Sequence, residues 1–200
     1  MSEGDTLGFD DAARLAVHQY ASPVLTNVMQ IASFLGSTIF LAIFGIGIFI
    51  MFWLLKRHRA ATLFAITMAG ASILLFTLKN GFQRARPEPF FETVLPVSYS
   101  FPSGHSLLSF CFYGLLAAIL TARIERRFFQ ALIWVCAFLL IALVGFSRIY
   151  LGVHYPSDVL AGYTAAFIWV VAVAVADHIL RDRKSKDKER EQTGGLEKRE

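Results

Sequence analysis

Residues Phe128–Ser147 read FFQALIWVCAFLLIALVGFS, a stretch of 20 residues without a charged side chain. A helix of that length crosses a hydrocarbon layer of roughly 30 Å. Four other stretches also lack charge, namely Ser33–Leu55, Ala60–Leu78, Ser106–Ala122 and Val159–Ala176. One of these could be a buried core helix, but five in 200 residues could not share a soluble fold. The sequence therefore predicts an all-α, polytopic transmembrane helical bundle with five spans.

The composition and the two ends of the chain suggest three parts. Hydrophobic residues make up 56% of the chain and charged residues 17%, a balance more apolar than in ordinary soluble domains. The first residues are acidic, whereas a secretory signal begins with basic ones. We expect residues 1–32 to form an amphipathic segment at the membrane interface, with a poorly hydrophobic extra span as the alternative. Residues 33–180 form the predicted transmembrane domain, and residues 181–200 a charged, disordered tail.

The basic residues are divided unequally between the two sides of the predicted bundle. The side that receives the C-terminus holds 14 of them and the other side holds 5. Because Lys and Arg accumulate on the cytoplasmic side, we predict a cytoplasmic C-terminus, in the inner membrane of a bacterium. Membrane topology also accounts for the net charge of +4, so no nucleic-acid partner is expected.

Polar residues gather in three clusters that this topology places on the outer face. The clusters are KNGFQRARP at Lys79–Pro87, PSGH at Pro102–His105 and SRIYLGVHYPSD at Ser147–Asp158. Each lies at the end of a predicted span or just before one begins. The ends of spans two to five are therefore expected to meet at one pocket.

The content of the three clusters predicts a site for an anion such as phosphate. Lys79, Arg86 and Arg148 bring three positive charges to the membrane boundary, where unpaired charge is unfavourable. Arginine presents a planar fork that suits phosphate oxygens, and lysine adds a compact charge. Ser103 offers a hydroxyl, and Gly104 an amide at the beginning of a helix, where anions bind readily. Each basic residue alone could be an interfacial anchor, but three beside a Ser-Gly-His turn favour the anion site.

Two histidines and a carboxylate complete a possible catalytic set. Asp158 follows His154 by four residues, so its carboxylate could orient one imidazole nitrogen and leave the other free to attack. Asp158 could instead cap the helix that it begins. We predict that His154 attacks phosphorus and forms a phosphohistidine, while His105 protonates the leaving oxygen and then activates water. No metal and no other cofactor is expected, because the fixed cations already supply positive charge.

The spacing of these residues resembles the three signature motifs of the type 2 phosphatidic acid phosphatase superfamily. The resemblance covers Lys79 to Asp158, with no departure at the signature positions. It implies a helical-bundle fold, metal-independent dephosphorylation, His154 as nucleophile and His105 as acid. It also implies phosphate contacts from Lys79, Arg86, Ser103, Gly104, His105 and Arg148. Many membrane members have six spans, whereas this chain is expected to have five.

A site at the membrane boundary favours a lipid phosphate as the substrate partner, with the lipid tails remaining in the bilayer. The candidates are undecaprenyl pyrophosphate, phosphatidylglycerophosphate, phosphatidic acid and lipid A 1-phosphate. A phosphotransferase that passes the phosphoryl group to a lipid acceptor such as lipid A is an alternative. A transporter or flippase is disfavoured because the charges of the motifs lie at span ends. The oligomeric state and the role of the tail stay open.

Overall fold

The computed structural model describes residues 3–91 and 98–197, and within those ranges all regular structure is helical. The helices are α1 (Glu3–His18), α2 (Pro23–Leu35), α3 (Thr38–Leu54), α4 (His58–Phe82), α5 (Gly104–Thr121), α6 (Arg127–Tyr150) and α7 (Pro156–Glu197). This confirms the predicted fold class.

Helix α5 lies at the centre of the bundle and packs against α3, α4, α6 and α7. Its side chains Leu107, Cys111 and Phe112 are buried among apolar residues of the surrounding helices. The outer faces carry large apolar side chains instead, and Phe76 and Phe138 are each about 70% exposed (71% and 69%). An outer surface of this kind suits lipid rather than water, because each lipid tail is as apolar as the side chains that it touches.

Four helices are long and apolar enough to cross a membrane, and the bent pair α2–α3 would make a fifth span if it crosses as one unit. The prediction of one helix over Ser33–Leu55 was wrong at its N-terminal end, because the chain bends by 47° between Leu35 and Thr38. The amide of Gly36 closes the last turn of α2, and the hydroxyl of Ser37 accepts a hydrogen bond from the Phe40 amide to begin α3. Both caps favour a break over a continuous helix.

The two ends of the chain also form helices. The segment before the first predicted span contains α1 and most of α2. At the other end α7 continues to Glu197, whereas residues 181–200 were expected to be disordered. The tail is rich in Lys, Glu and Arg, which are good helix formers. The proposed division into three parts remains a prediction.

Candidate active site

The three polar clusters meet at one end of the bundle, where α4 and α6 end and α5 and α7 begin. The start of α5 contacts the start of α7 directly, because the Ser103 amide donates to the Asp158 carbonyl oxygen at 3.0 Å. Gly162, one turn further along α7, allows this approach. A Cβ atom there would lie 2.8 Å from the Ser103 carbonyl oxygen. The predicted convergence of span ends is therefore present for these two helices at the level of backbone contacts.

His154 and Asp158 form a buried pair whose side chains are 2% and 0% exposed. His154 Nδ1 lies 3.3 Å from Asp158 Oδ2. The same oxygen accepts from the Ser100 hydroxyl and, at 3.0 Å, from the Tyr155 amide. Oδ1 accepts from Arg84 at 2.7 Å. Asp158 therefore faces hydrogen-bond donors on both oxygens and is held in one orientation.

Arg86 contacts the other side of the His154 ring. Its Nη1 lies 3.2 Å from His154 Nε2 and 3.1 Å from the Val153 carbonyl oxygen. A guanidinium group has no acceptor, so Nε2 must be the unprotonated nitrogen in this arrangement. The proton then resides on Nδ1, which faces Asp158. Both neighbours thus select the same neutral tautomer of His154.

Lys79 and Arg86 converge on a single backbone oxygen. Lys79 Nζ donates to the Tyr99 carbonyl, and Arg86 Nη2 donates to the same carbonyl at 3.4 Å. Arg86 Nε also donates to the Ser98 carbonyl at 2.8 Å. Two of the three predicted phosphate-binding cations are therefore adjacent to each other.

Arg148, the third predicted cation, reaches the site from α6 and donates to the Ser33 hydroxyl of α2. Its Nε is buried and has no hydrogen-bond partner among the described residues.

Burial lowers the pKa of His154 below its usual value, the hydrogen bond to Asp158 opposes this, and the positive charges of Arg86 and Arg148 lower it further. The His154 imidazole is therefore neutral at neutral pH, the form that a nucleophile requires.

The Ser103-Gly104-His105 turn begins α5. The Ser103 hydroxyl is fully buried and caps the helix by accepting from the Ser106 amide at 3.4 Å. The amides of Gly104 and His105 precede the first intrahelical bond and remain available to an anion. The His105 side chain is half-buried at this helix start, and no hydrogen bond joins its ring to the part of the chain that the structure describes.

The chain is similar to known proteins over most of its length. The model of the PAP2 superfamily matches residues 60–181. The chain is 30% identical over 182 residues to phosphatidylglycerophosphatase B of Bacillus subtilis (strain 168), covering 88% of this chain and 87% of that protein. It is 29% identical over 151 residues to an undecaprenyl-diphosphatase of Sulfolobus acidocaldarius, covering 70% and 68%. The crystal structure of the transmembrane PAP2 type phosphatidylglycerolphosphate phosphatase from Bacillus subtilis superposes with a TM-score of 0.80 at 28% identity, covering 88% of each chain.

The chain belongs to the PAP2 superfamily. The resemblance inferred from the motifs is thereby confirmed, and so is the inference of phosphatase activity, since the relatives are lipid phosphatases. The apolar helices and these relatives also identify the chain as an integral membrane protein.

Several residues of this candidate site were not predicted from the sequence. They are Asp10, Arg14, Ser33, Arg84, Ser100 and Ser157, which contact either a predicted site residue or the segment that carries one. Arg84 lies two residues before Arg86 in the first motif and could have been suspected from that position. The others are far from the motifs along the chain or are serines of ordinary appearance, so no sequence pattern distinguished them.

The candidate site presents cations, and not clustered metal ligands, among the described residues. Over residues 3–91 and 98–197, no group of three or more His, Cys, Asp or Glu side chains is arranged to hold a metal ion. Lys79, Arg86 and Arg148 are instead the groups that could bind an anion. Metal independence itself remains a prediction.

Gly152 shapes the segment that carries His154, and its replacement should destabilise the protein. Its φ of +74° lies in the left-handed region, and an added Cβ would lie 2.7 Å from the Phe90 amide nitrogen. We expect Gly152→Ala to lower the free energy of unfolding by at least about 1 kcal/mol, measured by thermal unfolding in detergent.

Gly47→Ala is the matched control, because an added Cβ at this helical position meets nothing within 4 Å. It should leave stability unchanged or raise it slightly, since alanine favours a helix over glycine. Equal stability of the two variants would show that the backbone at Gly152 adapts to a side chain.

Proposed function

We propose that this PAP2 phosphatase removes phosphate from a membrane lipid phosphate or pyrophosphate without a metal ion, through a phosphohistidine on His154. The observation that carries the proposal is the placement of His154 between Asp158 and Arg86. Both contacts select the tautomer with its lone pair on Nε2. A neutral imidazole oriented by a carboxylate is the arrangement expected of a histidine nucleophile.

In the first step, Nε2 of His154 attacks phosphorus and the bond to the leaving oxygen breaks. His105 gives its proton to that oxygen, so the lipid alcohol or lipid phosphate departs in protonated form. The positive charge that develops on the His154 ring is stabilised by Asp158 at 3.3 Å. The negative charge of the bound phosphate favours the protonated form of His105 before this step.

In the second step, water attacks the phosphohistidine. His105, now neutral, takes a proton from the water as the phosphorus–nitrogen bond breaks, and His154 returns to its neutral form. Inorganic phosphate is the product, and His105 is protonated again. Each group thus ends the cycle in the state in which it began.

The cations stabilise the charge that spreads over the phosphoryl oxygens during both steps. Lys79, Arg86 and Arg148 approach from α4, the segment after it and α6, and the Gly104 amide approaches from the start of α5. Phosphate binding would draw the Arg86 guanidinium from Nε2 of His154 to the phosphate oxygens, which frees the attacking nitrogen. Ser103 contributes by holding the helix start in place and, through its hydroxyl, by contacting the phosphate.

The substrate is proposed to be a polyprenyl pyrophosphate or a glycerophospholipid phosphate of the phosphatidylglycerophosphate or phosphatidic acid type. Support comes from the names of the relatives and from the site at the end of a bundle with an apolar outer surface. The basic loops before α4 and before α6 lie at the opposite end of the bundle. We therefore propose an inner-membrane protein with an extracytoplasmic active site and a cytoplasmic C-terminus.

Release of inorganic phosphate from a panel of lipid phosphates, in EDTA, tests the proposed function. The panel contains phosphatidylglycerophosphate, phosphatidic acid, undecaprenyl pyrophosphate and lipid A 1-phosphate. We expect activity on at least one member, and we expect the same rate with and without EDTA because fixed cations supply the positive charge.

Loss of activity in EDTA that returns on addition of Mg²⁺ would refute the metal-free mechanism. Transfer of label to a second lipid without free phosphate would identify a phosphotransferase instead. No turnover of any member in detergent or in liposomes would remove the lipid phosphatase proposal.

A further inference from the structure

Helix α1 contributes a fully buried carboxylate to the region behind the candidate site. Asp10 is 0% exposed. Its Oδ1 accepts from the Ser157 amide at 3.0 Å, and its Oδ2 accepts from the Ser157 hydroxyl. Ser157 is the second residue of α7, so Asp10 caps the helix that presents Asp158. A buried carboxylate that binds a helix beginning 146 residues later in the chain requires specific partners to offset its desolvation.

Arg84 connects this carboxylate to the one that faces His154. Its Nη2 donates to Asp10 Oδ2 at 2.8 Å, and its Nη1 donates to Asp158 Oδ1 at 2.7 Å. The guanidinium also lies 4.0 Å from the centre of the Tyr155 ring, which covers one of its faces. Asp10, Arg84 and Asp158 thus form a continuous series of charged hydrogen bonds that ends at His154. We call these three residues the charge triad.

We propose that Asp10 and Arg84 are positioning residues that act through Asp158, and that Asp10 offsets the charge of Arg84 so that the charge triad presents a single negative charge to His154. This inference rests on the proposed function, because it assigns a consequence to the charge state of His154. It goes beyond that function because neither residue is a signature position: Arg84 is an intervening residue of the first motif, and Asp10 lies outside the matched residues 60–181.

The geometry gives each residue a separate effect. Arg84 occupies Oδ1 of Asp158, which leaves Oδ2 to face the His154 ring. Without Asp10, the positive charge of Arg84 would offset the negative charge of Asp158. Asp158 would then stabilise the His154 imidazolium less. The negative charge of Asp10 offsets the positive charge of Arg84. Because Asp10 is buried, solvent screens this interaction poorly.

Other charges also face His154, and they remain in every variant described below. They are Arg86 from the segment after α4, Arg148 from α6 and His105 from α5, and Lys79 of α4 lies near His105. Asp11 and Arg14 of α1 lie near the Tyr155 ring instead. A substitution in the charge triad therefore changes one charge near His154 and leaves these other side chains in place.

Asp10→Asn and Arg84→Gln should shift the acidic limb of the pH profile of kcat/KM in opposite directions. Asp10→Asn makes the charge triad neutral, so the His154 imidazolium loses stabilisation and the limb moves to lower pH. Arg84→Gln leaves two negative charges, so the limb moves to higher pH. We expect shifts of about 0.5–1 pH unit. The double variant returns the charge triad to one negative charge and should restore the wild-type limb within about 0.3 pH unit.

Asp11→Asn is the matched control, because it removes the same charge from the next residue of α1. Asp11 is 54% exposed and pairs with Arg14 instead of Arg84. The acidic limb of the pH profile of Asp11→Asn should therefore stay at the wild-type position. Thermal unfolding in detergent verifies that each variant is folded. If Asp10→Asn does not fold, Arg84→Gln by itself carries the test through its upward shift.

An acidic limb that stays in place in Arg84→Gln, or that moves in the same direction in both single variants, overturns the inference even if kcat falls. Failure of the proposed function is distinguishable from this result. It would appear in the unmodified protein as no phosphate release, or as full activity in a His154→Ala variant.

Discussion

Replacing His154 by alanine is expected to reduce phosphate release by about 10⁴-fold or more, because it removes the only group proposed to bond to phosphorus. The binding cations would remain, so lipid phosphate should still bind. Asp158 would keep its bonds to Ser100, Tyr155 and Arg84, and the helix start should therefore persist. The measurement is the initial rate of phosphate release, together with thermal unfolding and substrate binding by the same preparation.

His178→Ala provides the comparison for this variant. His178 also lies on α7, but its side chain is 75% exposed and pairs with Asp182 at 3.0 Å near the opposite end of the bundle. Its loss should change the rate by less than about twofold, as expected for a surface substitution. If His154→Ala retained a substantial part of the activity while His178→Ala behaved normally, attack on phosphorus would have to be assigned to another group.

Asp158→Asn should have the second largest effect, about 10³-fold or more on kcat, accompanied by a loss of stability. Both oxygens of Asp158 face donors, from Arg84 on one side and from Ser100, Tyr155 and His154 on the other. An amide nitrogen on either side would oppose one of these donors. The His154 ring would lose the acceptor that fixes its tautomer, and buried donors would lose a partner at about 1–3 kcal/mol.

Asp182→Asn serves as the control because Asp182 is also on α7 and is 60% exposed. It should leave kcat and the unfolding temperature unchanged within error. A normal kcat in Asp158→Asn, with reduced stability only, would mean that Asp158 acts as a helix-capping residue and not as the partner of the nucleophile. That is the alternative that the sequence left open.

The sequence predicted most of the architecture because charge is excluded from helices that contact lipid. The absence of charge over Phe128–Ser147 and its counterparts locates four helices directly. It did not locate the break at Gly36 and Ser37, because two small, uncharged residues leave the hydropathy of that stretch almost unchanged. The bend depends on capping hydrogen bonds, which a count of apolar residues does not register.

Within the site, the sequence identified residues that lie in compact motifs and missed those that act across the fold. His154 lies two residues before α7 and Asp158 lies in the first turn of α7, so their short separation along the chain keeps the two side chains within reach. Asp10 contacts Ser157 across 147 residues of chain, and Ser33 contacts Arg148 across 115. Neither contact produces a periodic pattern in the nearby sequence, because both contacts depend on how α1 and α2 pack against the end of the bundle.

The shared contact of Lys79 and Arg86 with the Tyr99 carbonyl has a consequence for selectivity. In the resting protein this peptide oxygen acts as an intramolecular competitor for both cations. An incoming anion competes with it for these donors, and a halide that carries one charge and no directional oxygens gains little from the exchange. A phosphate monoester offers several oxygens and up to two charges, so we expect it to compete with the carbonyl better than a halide does.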